Sequence, residues 1–199
     1  MSYRRLEFDL FEKIIVPAID SFYTTSKDKD LLDRDASERA IVANIYCKMN
    51  LLFQKSDTAL QYLSIDYEYN RNLLDTKKAY LKCNLCKLNT CIKLPYSNLD
   101  EADIVPDIII HKRGSNEDNQ VVIEFKKVKN RDEKQRKNDI AKLTYLTCQQ
   151  QYEDKEDFDY KYQLGYFIDL DTDSYLVTSY TDAHLLGTRK RKEGRWYDV

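Results

Sequence analysis

The sequence predicts an α/β fold, a mixed central sheet flanked by helices, on three observations. Two apolar runs, Ile108-Ile109-Ile110 and Val121-Val122-Ile123, flank the turn-forming stretch Gly-Ser-Asn-Glu-Asp-Asn-Gln at 114–120 and read as a hairpin. A helical stripe precedes them, with Ala40, Ile41, Ile45, Met49, Leu52 and Phe53 on one face. A second helical stretch at 138–146 then separates the hairpin from strand-like runs at 162–168 and 175–179. Helices interleaved with strands in this way suit a sheet covered by helices.

Taken in order, the first 27 residues carry Leu6, Leu10, Phe11, Ile14, Ile15, Ala18, Ile19 and Phe22 at helical spacing. Pro17 interrupts them and is expected to kink or divide the helix. Asp28-Lys29-Asp30 reads as a polar joint. The expected organisation is an N-terminal helical extension over 1–35, packing on the core or mediating self-association. A core over 36–199 follows, with a cysteine-bearing insertion at about 73–104. The helix at 36–53 can be capped by Asp35 or Ser37. Glu38 falls in its first turn, where the helix dipole favours a carboxylate. Residues 63–71 alternate, with Asp66, Glu68 and Asn70 as polar positions; Asp66, Glu68 and Arg71 are read first as ordinary cross-strand ion pairs, and otherwise as support behind a catalytic site or as part of a nucleic-acid groove.

The chemistry concentrates in the hairpin. Pro106-Asp107 stands ahead of its first strand, and Glu124 and Lys126 lie two apart in the second. Residues at i and i+2 of a strand share a face. Glu124 interrupts a nearly continuous apolar run of the kind found in strands covered on both faces. A carboxylate there is costly unless it is paired or holds a metal. An Asp and a Glu that converge can hold a hard divalent cation through oxygen, and a lysine beside it can orient or activate water. The bland alternative is a solvated Glu/Lys strand face. His111, on the Asp107 and Ile109 face by parity, and Arg113 are read first as structural partners.

Four short motifs then occur in order: Ser37-Glu38-Arg39, the Asp66–Arg71 segment, the Pro106–Gly114 segment and Ile123-Glu124-Phe125-Lys126-Lys127. With an Asp-x-x-Lys-Leu segment in the later helix, this ordered set resembles the PD-(D/E)xK nuclease superfamily, over roughly residues 36–170. The resemblance implies a restriction-endonuclease-like core in a small bacterial member. It implies Asp107 and Glu124 as metal ligands, with Glu38 supporting the metal site directly or through water. Lys126 would position or deprotonate the attacking water, and the cofactor would be Mg²⁺ or Mn²⁺. The expected activity is hydrolysis of phosphodiester bonds, of DNA more than of RNA. The alternative is a nucleic-acid- or protein-binding module on the same fold with weak or no cleavage. Cutting both strands of a duplex would favour a homodimer.

Seven cations between Lys126 and Lys137 form a candidate phosphate track, with Lys127, Lys129 and Arg131 nearest the site and Arg71 and Arg113 as further candidates. An acidic cluster (Glu153, Asp154, Glu156, Asp157, Asp159) offsets it, and the C-terminal tail is basic again (Arg189, Lys190, Arg191, Lys192, Arg195). The net charge of −2 excludes a uniformly cationic coating protein. Cys83, Cys86 and Cys91 match no complete zinc signature. Three free thiols are expected there in preference to structural Zn²⁺, for which Cys47, His111 or Cys148 would have to supply a fourth ligand. With 42% hydrophobic residues the chain can build a core as a single domain, and no run is long or apolar enough for a membrane span. The opening residues lack a signal-peptide core, so a cytoplasmic location is expected.

Overall fold

The computed structural model describes residues 9–56, 60–68, 104–149 and 160–199, with the backbone of four short strands between 71 and 103. The helical segment opens with a π turn at Phe11–Ile15 and continues as α1 (Val16–Thr24). Pro17 therefore does not divide the helix. It has no N–H to donate, and its ring would crowd the carbonyl four residues back. The wider turn absorbs this: the Val16 N–H donates to the Phe11 carbonyl, five residues back. Thr25 takes an extended conformation and α2 (Ser26–Asp33) follows. Asp28-Lys29-Asp30, expected as a joint, thus lies inside a helix. Asp28 accepts from the Asn44 amide at 2.9 Å and pairs with Lys48 at 2.8 Å, tying α2 to α3 (Glu38–Gln54). Ser37 is the cap of α3, its Oγ accepting from the Ala40 N–H at 3.2 Å.

Strand β1 (Ser64–Tyr67) is followed by the short pairs β2 (Arg71–Asn72) with β3 (Asp75–Thr76), and β4 (Lys78–Tyr80) with β5 (Glu101–Asp103). Then come β6 (Ile108–His111), β7 (Asn119–Lys127), α4 (Glu133–Thr147), β8 (Leu164–Leu170), β9 (Ser174–Thr181), β10 (His184–Lys192) and β11 (Arg195–Asp198). The main sheet has seven strands in the order β1-β6-β7-β8-β9-β10-β11. Only β7 and β8 run parallel, joined through α4; every other neighbouring pair is antiparallel. The molecule is thus α/β, a mixed sheet flanked by helices, and the expected hairpin around 114–120 joins β6 to β7.

Alternation along the strands sorts the core into two layers. Ile108, Ile110, Ile123, Phe125 and Ile168 face the N-terminal helices, packing with Ile15, Ile19, Phe22, Ile41, Ile45 and Met49. The residues of the first 35 thus share one apolar cluster with α3 and the sheet. On the other face Ile109, Val122 and Phe167 pack under Leu143 and Leu146 of α4. Here α4 sits close: a Cβ on Gly165 would lie 3.0 Å from the Thr147 methyl. The basic tail, for which no strand was expected, folds as β10 and β11. Glu193 and Gly194 between them both have positive φ, as do Asp182 and Ala183 between β9 and β10. Two-residue turns of that kind match the twist of antiparallel strands. Strand β11 pairs only with Arg189–Lys192, so the first half of β10 has β9 as its one main-sheet partner. No helix among the described residues is long and apolar enough to cross a membrane.

Candidate metal and catalytic centre

Four sequence-predicted residues meet where α3 begins and β7 ends. Strand β7 presents Glu124 and Lys126 to the α4 side, as their i, i+2 spacing requires. Asp107 enters from the start of β6; its Oδ2 accepts from the Phe125 N–H at 2.7 Å, which fixes it beside Glu124. Glu38, at the first turn of α3, reaches across the sheet end. Its Oε1 accepts from Lys126 Nζ at 2.6 Å and its Oε2 from the Lys127 N–H at 3.1 Å. The helix-dipole role read from the sequence is therefore joined by a second one, clamping the end of β7.

Two further residues complete the cluster, Asp139 and Lys142 of α4. Asp139 Oδ2 lies 3.0 Å from Lys126 Nζ, and Lys142 Nζ lies 2.8 Å from Asp139 Oδ1 and 2.9 Å from Glu124 Oε1. Both were present in the Asp-x-x-Lys-Leu segment, and only their i, i+3 spacing on one helix face hinted that they act together. Glu124 is 1% exposed, Lys126 4% and Asp139 5%, so these charges face one another in a nearly dry space. The Lys142–Glu124 contact is close by distance but lacks hydrogen-bond alignment, so Glu124 Oε1 has no directed donor; the same holds for Asp139 Oδ2.

The electrostatics follow from the count of charges. Four carboxylates (Glu38, Asp107, Glu124, Asp139) face two ammonium groups (Lys126, Lys142). Burial, and then the charge of Asp107, push the Glu124 carboxyl well above its ordinary range. Burial lifts Asp107 to about 6, against the Phe125 N–H and the two lysines. For Lys126 burial acts to lower the pKa, but Glu38 and Asp139 outweigh it and raise it; Glu124 and Asp139 do the same for Lys142.

No family model, curated protein or solved structure matches this chain. The site therefore rests on its own geometry.

The remaining candidates fall elsewhere. Lys127 turns to the α3 side and binds Asp35 at 2.6 Å and the Ala36 carbonyl at 2.9 Å. Lys129 and Arg131 are exposed on the loop before α4. Arg113 and His111 both bind Asp66, His111 Nε2 at 2.8 Å and Arg113 Nε at 2.9 Å, with Arg113 Nη2 on the second carboxylate oxygen. Arg136 of the basic track pairs with Asp169 and stands over the Phe167 ring. For Arg71 only the backbone is described. Cys83, Cys86 and Cys91 lie outside the described residues, as does the acidic cluster at 153–159. Among the described residues, no group of three or more His, Cys, Asp and Glu side chains has the arrangement of a metal site. Around Glu124 stand Asp107, whose charge raises the Glu124 pKa, and Asp139, bridged to Glu124 by Lys142; Glu38 joins the cluster through Lys126.

Proposed function

We propose that the chain is a divalent-metal-dependent nuclease with a restriction-endonuclease-like core, a member of the PD-(D/E)xK type, hydrolysing phosphodiester bonds of DNA. One observation carries the reading: a cluster with two more carboxylates than ammonium groups, at whose buried centre the charge of Asp107 adds to burial in raising Glu124. The succession α3, β1, β6–β7 hairpin, α4 and parallel β8 supports the fold part.

The residues fit a hard divalent cation. Mg²⁺ or Mn²⁺ would be held by Asp107 and Glu124, with Glu38 supporting the site through its hold on Lys126. Mg²⁺ needs only one or two protein carboxylates, because it keeps several waters and takes substrate oxygens. The ion would supply Lewis-acid polarisation of the phosphoryl oxygen and a more acidic bound water. The chain's own groups do the rest. Asp107 and Glu124, both raised in pKa by burial and by the charge of Asp139, and Glu124 also by that of Asp107, are driven to accept positive charge. Lys126 keeps its proton because Glu38 and Asp139 raise its pKa, which favours orienting the attacking water and meeting charge on the phosphoryl oxygens over abstracting a proton. Asp139 and Glu38 hold the Lys126 ammonium from two sides and so position it.

The test is cleavage of labelled single-stranded DNA, duplex DNA and RNA in Mg²⁺ or Mn²⁺, with EDTA as control, for wild type, Glu124→Ala and Lys126→Ala. Metal-dependent cutting of DNA lost in both variants is the expected result. Binding without cutting by the wild type would replace the nuclease with a binding module on the same fold.

A further inference from the structure

The basic residues of β10 and β11 play no part in the centre described above, yet the sheet register lines them up with it. Lys126 pairs with Asp169, Asp169 with Leu176, Leu176 with Lys190 and Lys190 with Tyr197. Directly paired residues point to the same face of a sheet, so this row runs from Lys126 across the α4 side to the outer edge. Thr178 and Thr188, joined at 3.0 Å between their hydroxyls, confirm the shared face one step along.

Helix α4 covers the inner part of that face, where Phe167 and Val122 are buried. The outer part is open: Leu176, Thr178, Thr188 and Lys190 are partly exposed, Arg195 is exposed and Tyr197 is 49% exposed. Its charge is lopsided. Of the five Lys and Arg side chains from His184 to Val199, Lys190, Lys192 and Arg195 belong to this face by alternation, while Arg189 stands over Trp196 on the other. The cations differ in availability. Arg191 is on the opposite face, bound to Asp20, and Lys192 is paired with Asp173 at 2.5 Å. Lys190 and Arg195 have no ion pair with a described residue. They flank Tyr197, whose ring is available for stacking.

We infer that the open face of β9–β11 is a docking platform for the nucleic-acid strand entering or leaving the catalytic centre, with Lys190 and Arg195 on phosphates and Tyr197 against a sugar or base. Three strand spacings separate β7 from β10, about 14 Å, or roughly four base-pair rises. The strand gripped here thus lies a few nucleotides from the bond at Lys126. Charge complementarity selects a polyanion, and the short distance to the centre along one sheet face selects the polyanion cut there over an acidic protein. The inference rests on the nuclease reading for its choice of ligand, and its test separates the two.

Anisotropy titrations of fluorescent single-stranded and duplex DNA, without divalent metal and at several salt concentrations, would compare the wild type with Lys190→Glu/Arg195→Glu. A milder Lys190→Gln/Arg195→Gln pair guards against a folding defect, checked by melting. Lys13→Glu/Lys55→Glu, on the helical side, is the charge-matched control. The expected result is binding weakened about tenfold or more at 0.1 M salt by the Glu pair. The salt slope should also fall by about 1.4 for single strands or 1.8 for duplex, the loss of two phosphate contacts. Tyr197→Ala should weaken single-strand binding more than duplex binding. Equal loss in the control, an unchanged slope in the platform variants, or no DNA binding by wild type overturns the platform. Cleavage by wild type with unaltered binding in the platform variants would sink the platform and leave the nuclease. Weakened binding with no wild-type cleavage would do the reverse.

Discussion

Two buried carboxylates on neighbouring parts of one sheet have opposite fates. Asp66, on β1, is gripped by His111 and by both nitrogens of an Arg113 fork. Burial acts to raise its pKa, but those partners hold it well below the ordinary range. Glu124, on β7, is more deeply buried, has Asp107 beside it and only the Lys142 ammonium, at 2.9 Å, against Oε1, and its pKa goes the other way. Desolvation alone therefore does not mark a functional carboxylate. What separates the two is whether the protein's own donors settle the charge. Asp66 is a satisfied structural group; Glu124 is left with affinity to spare, and a cation is what would use it.

The largest expected effect tests the second half of that contrast. Replacing Glu124 or Lys126 by Ala should cut Mg²⁺-dependent DNA hydrolysis by about 10²–10³-fold or more, the order for losing one transition-state partner. Asp66→Asn should leave the activity of whatever protein stays folded largely intact, because Asp66 is bound by His111 and Arg113 and not by Glu124 or Lys126. Its effect belongs to stability. Breaking a buried pair costs about 3–5 kcal/mol, and the 62% exposure of Arg113 brings this down to about 2–3 kcal/mol in denaturant melts. Glu124→Gln in the metal-free protein should instead be neutral or stabilising, since it removes surplus buried charge. A loss as large as that of Asp66→Asn would dissolve the comparison.

Acid next separates Asp66 from Asp107, the neighbour of Glu124. The folded pKa of Asp107 lies above its unfolded value, so its stabilising contribution is full below about 4 and is lost as pH rises through about 6. Asp66 is depressed, so its contribution is present above the ordinary aspartate range and disappears as pH falls below it. Melting the metal-free protein across pH 4–7 should show stability declining toward pH 7 in wild type and a flatter curve in Asp107→Asn. Added Mn²⁺ should reverse the slope, because the ion needs the ionised forms.

Smaller effects refine the picture. Lys142→Met removes the cation beside Glu124, so the metal-free melting temperature should fall while the rise on adding Mn²⁺ grows beyond that of wild type. Ser37→Ala removes the α3 cap at a cost of about 1 kcal/mol, and the loosened first turn should weaken the hold of Glu38 on Lys126. Calorimetry reads the first and a thermal melt the second.

Much of this was legible in the chain. Glu124 stood out because it breaks an apolar run, and strand parity put Lys126 on its face. Ser37, Asp107 and the 114–120 turn each had a local signature. Asp139 and Lys142 were harder, because α4 has many charges and only the packing of one face shows which of them point inward. The outer strands were hidden for a different reason: a run of Arg and Lys has the composition of a solvated tail. What makes it a hairpin is the pair Glu193-Gly194 in a turn that no apolar pattern announces. Pro17 misled in the same way, since one π turn was enough to keep the helix whole.

Because β11 is only four residues long, it shields Arg189–Lys192 and leaves the backbone from His184 to Thr188 as a short open margin, with Leu185 and Leu186 exposed along it. The irregularity between Leu185 and Gly187 bends that margin, a device that discourages another strand from adding there. Clipping the chain after Lys192 would unmask the whole length of β10 at once. The shortened protein should then self-associate edge to edge at concentrations where the intact chain stays dispersed, which makes the last few residues guardians of colloidal behaviour.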